Sequence, residues 1–180
     1  MRYLLTGIAA LAAIATSPVN AEVTALSEAG FVAHNEVEVP ANVAETWAML
    51  FKPSRWWNPE HSYSGDSANM TLSPTAGGCF CEAIPSANRE PAGEIEHMRV
   101  LYVDRRVHTL RLAGALGPLQ AEAVTGVLTM TVESAGSGAR ITWDYVVGGY
   151  MRTPMVEMAP LVDRVVGEQL TRLAATLSKP

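Results

Sequence analysis

The chain has 180 residues, 48% of them hydrophobic, and sets 13 basic against 18 acidic side chains for a formal net charge of −5. That length suits one domain with a sizeable core. The acidic balance and the lack of any basic run argue against binding nucleic acid by phosphate neutralisation.

The first 21 residues read MRYLLTGIAALAAIATSPVNA. Arg2 precedes an apolar run over 3–15, and Val19 and Ala21 are the small residues a signal peptidase selects, so residues 1–21 read as a secretory signal peptide cut after Ala21. The run is too short to anchor comfortably, since a span needs about 20 residues. Residues 22–180 are then expected as a single exported domain, periplasmic or secreted, with no stable membrane span after cleavage. Loss of Arg2 takes the net charge to about −6.

Residues 22–30 read as a loose leader. Phe31, Ala33, Asn35, Val37 and Val39 then alternate with more polar neighbours, the period of a strand. Pro40 ends it. Asn42 is placed to cap a helix carrying Val43, Trp47, Leu50 and Phe51 at helical spacing. A turn with Trp56 and Trp57 follows. Strand candidates occupy 66–72, 78–84, 93–103, 107–112, 121–132 and 139–148, separated by short turns, which predicts an antiparallel meander. Val162, Val165, Val166, Leu170, Leu173 and Leu177 share one face of a long final helix, expected to become regular near Pro160. One helix over a curved sheet leaves a space, the default place for a small molecule.

This order, with Val37-Glu38-Val39-Pro40-Ala41, Glu45-Thr46-Trp47, Trp56-Trp57 and Gly77-Gly78-Cys79-Phe80-Cys81-Glu82, resembles the SRPBCC (START, polyketide cyclase, birch-pollen-allergen-like) superfamily over about residues 31–178. Within it the chain is most similar to the branch of activator of heat-shock-protein-90 ATPase homologues. The resemblance implies an α+β helix-grip fold: a curved antiparallel sheet of six to seven strands around a long C-terminal helix, with two short helices after the first strand. It also implies a cavity for lipids, sterols, polyketides or hormones, and in some members cyclisation or dehydration. The co-chaperone activity in the branch's label does not suit an exported chain, which meets neither ATP nor that cytosolic partner.

The two cysteines leave three arrangements open. In a regular strand the Cα atoms of residues i and i+2 stand about 6.5–7 Å apart, whereas a disulfide favours about 5.5–6 Å, so a bridge needs a bulge. An oxidising compartment nonetheless favours one. Two reduced, packed thiols are the second arrangement. The third is a metal site: if Glu82 faces Glu94 on the next strand, Cys79 falls opposite His97, and Cys79, Cys81 and His97 share a face, a soft set suited to zinc or copper. A register slip of one residue would destroy it.

On that register Phe80, Glu82, Glu96 and Met98 point into the cavity, and Met130 and Glu122 share the inward parity of a later strand. Trp56, Trp57, Trp143 and Tyr145 are expected to supply an aromatic wall. Glu82, Glu96 or His61 could act as acid or base if buried there. The apolar loop AGALGPLQ at 113–120, with Leu116 and Leu119 read as exposed, could be a gate over the cavity, a membrane-touching tip or an inert hairpin loop. The expected function is binding of a small hydrophobic molecule, lipid or aromatic, with no cofactor. The alternatives are a cyclase- or dehydrase-like enzyme, or a thiol-redox or metal protein acting through Cys79 and Cys81.

Overall fold

The computed structural model describes residues 18–87 and 92–178; the apolar run of the leader lies outside them. Eight strands form one antiparallel sheet: β1 (Asn20–Ser27), β2 (Gly30–Val39), β3 (Met70–Leu72), β4 (Cys79–Ile84), β5 (Gly93–Asp104), β6 (Thr109–Ala113), β7 (Ala123–Ala135) and β8 (Gly138–Tyr150), in the order β1-β2-β8-β7-β6-β5-β4-β3. Helix α1 (Val43–Leu50) follows β2, short 3-10 turns lead to β3, and helix α2 (Met155–Leu177) closes the chain. This is the expected α+β helix-grip architecture with one strand more. Among the described residues no helix is long and apolar enough to cross a membrane.

Alternation in β2 holds: Phe31, Ala33, Asn35, Val37 and Val39 are buried. Asn42 caps α1 as expected, accepting from the Glu45 amide at 3.0 Å, while the Glu45 carboxylate accepts from the Asn42 amide at 3.3 Å. Each such cap is worth about 1 kcal/mol.

Three expectations change. The supposed loose leader is strand β1, paired with β2 from Asn20↔Glu36 to Ser27↔Gly30. As an edge strand almost fully exposed on both faces it carries no alternation to read. Of the strand expected over 66–72 only Met70–Leu72 pairs; Ser67–Asn69 is a 3-10 turn capped by Asp66. Helix α2 begins at Met155, and Pro160 lies inside its early turns. Its residue Gly167 lets α2 lie directly on β2: a Cβ there would fall 2.6 Å from the Asn35 Oδ1 atom.

The register of β4 on β5 is the decisive local feature. Glu82 faces Ile95, Cys81 faces Glu96, Phe80 faces Met98 and Cys79 faces Arg99. His97 is the extra residue of a bulge. The bulge turns the consecutive pair His97 and Met98 inward, 2% and 1% exposed, and leaves Glu96 outside, where it accepts from Arg99.

Candidate functional site

Interior space under the sheet is filled. Trp56 meets Trp57 and Trp143 with ring centroids 5.7 and 5.6 Å apart, and Trp57 stands edge-on to Phe80 at 5.3 Å. Trp56, Phe80, Met98, Met130, Trp143 and Tyr145 are each no more than 2% exposed. These six, expected to line a ligand cavity, are packed core, because three indoles occupy the concavity that sheet and helix leave between them.

The open space lies at the rim of that core. A pocket of about 530 Å³ sits between the first turns of α2 (Met158, Leu161, Val162, Val165, Val166, Gln169), the loop carrying Trp57, Glu60, His61, Ser62 and Tyr63, and the loop of Leu116, Gly117 and Pro118. Of the expected ligand-binding residues, Trp57 alone reaches it; of the expected catalytic ones, His61 does. The AGALGPLQ loop does form a wall, but only Leu116 of its leucine pair faces the pocket, since Leu119 is fully buried.

Both loops are held from behind. Tyr145, on β8, donates its hydroxyl to the Gly114 carbonyl at 3.0 Å and accepts from the Leu116 amide at 3.1 Å. Burial pushes its phenol up to about 12. Across the opening, the Tyr63 hydroxyl donates to the Gly117 carbonyl at 3.1 Å and ties the two loops together. The indole of Trp57 donates to the His61 carbonyl at 2.9 Å.

Glu82 is fully buried behind this wall. Its carboxylate accepts from the amides of Tyr63 and Ser64, at 3.1 and 2.5 Å, and lies 2.9 Å from His97 Nε2. Burial alone would raise its pKa, but the Ser64, Tyr63 and His97 hydrogen bonds outweigh it and hold the carboxyl below its ordinary value. Burial lowers His97, against the opposing pull of Glu82. A neutral imidazole donating Nε2–H to a carboxylate follows. Glu82 therefore anchors the pocket loop, with all three of its neighbours already donors to it.

His61 has a different partner. Its Nε2 lies 3.0 Å from Glu168 Oε2, and the other Glu168 oxygen accepts from the Asn58 side chain. The Asn58 amide donates to Gln169 Oε1 at 2.7 Å, and that side chain is 1% exposed. A carboxylate-oriented imidazole on an apolar wall has the arrangement of a general base. Glu168 and Gln169 were not legible as site residues. The only signal was their place on α2 two and three positions after the apolar Val165-Val166 pair.

Glu122 is no pocket residue: it sits at the start of β7 and pairs with Arg152 at 2.8 Å, whose guanidinium holds the carboxyl below its usual range. Glu96 is outside, as above. Cys79 and Cys81 form a disulfide with Cα atoms 5.3 Å apart, half-buried on the outer face of β4. The metal set fails on register, because His97 points to the opposite face, and on chemistry, because the sulfurs are bonded to each other.

Acid should weaken this site in two steps. His97 has a folded pKa below its unfolded value of 6.5, so its contribution is complete above that value and declines as pH falls from there. Glu82, lowered from 4.5, contributes fully above that value and loses its contribution as pH falls through the folded value. Asp163, raised first by burial, acts in the opposite direction. Melting temperature is therefore expected to fall below about pH 6.5, and the His97→Gln curve to lack the upper of the two steps. Parallel curves would remove His97 from this account.

No protein-family profile and no curated protein matches the chain. Solved structures match its fold. Norcoclaurine synthase of Thalictrum flavum, a point mutant in complex with a transition-state analogue, is 14% identical, with 85% of this chain and 97% of that one covered at a TM-score of 0.54. CalU16 of Micromonospora echinospora is 13% identical, covering 92% and 88% at 0.53. Ara h 8.0201 is 10% identical, covering 82% and 98% at 0.52. The chain thus has the helix-grip fold that these structures share.

Proposed function

We propose that this is an exported protein that binds a small hydrophobic molecule, lipid or aromatic, between α2 and the two loops. One observation carries the reading: a pocket of about 530 Å³ walled mainly by Met158, Leu161, Val162, Val165, Val166, Leu116, Pro118 and Trp57, with few polar groups. That size and character suit a ligand site. Export is supported by the leader at 1–21 and by the half-exposed Cys79–Cys81 bridge, which suits an oxidising compartment. Signal peptidase would cut within the first residues of β1, leaving Glu22 onward to pair with β2.

The second reading is an enzyme of cyclase or dehydrase type. It is favoured by the His61–Glu168 pair, and by the fold's hosting catalysis in norcoclaurine synthase. Its acid or base is His61; Glu82 is walled off and Glu96 lies outside.

N-phenyl-1-naphthylamine, neutral at working pH and fluorescent in apolar surroundings, tests the pocket. Its emission should rise on titration into the mature chain, and Val165→Trp, which fills the pocket from α2, should weaken binding by about tenfold or more, the effect of losing most of one apolar contact area. Equal binding by wild type and variant would place the probe elsewhere. A native mass measurement on protein from its own compartment separates the two readings. A retained small molecule supports the carrier. A molecule chemically altered on incubation, and unaltered with His61→Gln, supports the enzyme.

A further inference from the structure

The charges around the pocket have one prevailing sign. Glu60 and His61 line it, and Glu168 stands beside His61 on the same wall of α2. Among the described residues no lysine or arginine lines it. The Arg172 guanidinium, further along α2, is turned to the Trp56 carbonyl at 3.0 Å. An entering carboxylate would meet the Glu60 carboxylate and an imidazole already paired with Glu168, just behind the lining, and leaving such a charge unpaired against apolar walls is costly. An entering ammonium would meet the Glu60 carboxylate, with Glu168 behind His61, and the aromatic side chains of Trp57 and Tyr63, both on the lining, whose π-systems attract a cation.

We propose that the pocket selects ligands joining an apolar, ring- or chain-like body to a protonated amine, over neutral and acidic analogues of the same shape. This rests on the pocket reading given above and narrows it to one chemical class. Apolar side chains of α2 hold the body, and Glu60 with the His61–Glu168 pair meets the nitrogen at the mouth. Tyr63 contributes its ring face only, because its hydroxyl is engaged by Gly117. At low salt, two carboxylates several ångströms from an ammonium are worth roughly five- to thirtyfold in Kd. Screening should erode that preference as salt is added.

Three probes sharing one ring system test it: 1-naphthylmethylamine, 1-naphthalenemethanol and 1-naphthoate. Each is titrated calorimetrically into the mature chain at mildly alkaline pH, where the amine is still protonated. The expected order is amine, then alcohol, then acid. The ratio of alcohol to amine Kd should fall toward one in Glu60→Gln/Glu168→Gln and at high salt. Using the ratio removes any general change in pocket shape caused by the variants. Alcohol and amine binding alike, the acid binding most tightly, or a ratio that the double variant leaves unchanged would each overturn the selectivity while the pocket reading stands. Failure of all three probes to bind would overturn the pocket reading and the selectivity together.

Discussion

Glu82→Ala is expected to cost about 3–5 kcal/mol of folding stability, because three donors lose one charged acceptor together and a hydrogen bond to a charged group is worth about 1.5–3 kcal/mol. The carboxylate is fully buried and accepts from two loop amides and from His97. Its removal leaves the amides of Tyr63 and Ser64 and the His97 ring without an acceptor, in a space that water does not reach. The same change frees the loop that carries His61 and Tyr63, so ligand affinity should fall along with stability. Glu82→Gln retains one oxygen acceptor and places an amide donor where an acceptor was, and should cost less than alanine but still more than 1 kcal/mol. Urea unfolding of the three proteins measures both. An alanine variant within 1 kcal/mol of wild type would mean that the loop is held by its own packing, the Trp57 indole included, and not by Glu82.

The sequence made much of the frame legible and little of the site. Alternation in β2 marked its inward residues, and Asn42 marked the start of α1, because both signals are local. Strand β1 was missed because an edge strand exposed on both faces leaves no period in NAEVTALS. The bulge at His97 was missed for a different reason. One extra residue shifts the register of β4 on β5 and exchanges the sides on which Glu96 and His97 stand, and nothing in GEIEHMRVLYVD announces where it falls. That single shift turned an imagined Cys-Cys-His set into a disulfide outside and a His97–Glu82 pair inside. The pocket was misplaced because the positions of three indoles decide whether the concavity is filled, and composition cannot tell a wall from a plug. The loop at 113–120 stood out by its apolar, turn-rich composition, but that composition suits a gate, a membrane-touching tip and an inert hairpin alike.

Gly126→Ala is the second change expected to have a large effect, and it reaches the pocket through a buried contact on the inner face of the sheet. A Cβ at Gly126 would lie 2.3 Å from the Tyr145 ring and 2.8 Å from its hydroxyl. Tyr145 is fully buried and cannot swing away without breaking its bonds to Gly114 and Leu116. Overpacking of this kind costs about 1–3 kcal/mol, with the lost hydrogen bonds adding about 1–3 kcal/mol more where the loop groups stay buried. Tyr145→Phe removes the hydroxyl alone and should cost about 1–3 kcal/mol while loosening the Leu116 wall, so probe affinity should drop even where the fold is retained. The two changes act through one ring, so their effects should not add. In a Tyr145→Leu background, where the ring is gone, Gly126→Ala should cost less than in wild type by at least about 1 kcal/mol. Strict additivity would show that the space beside Gly126 is not what fixes Tyr145.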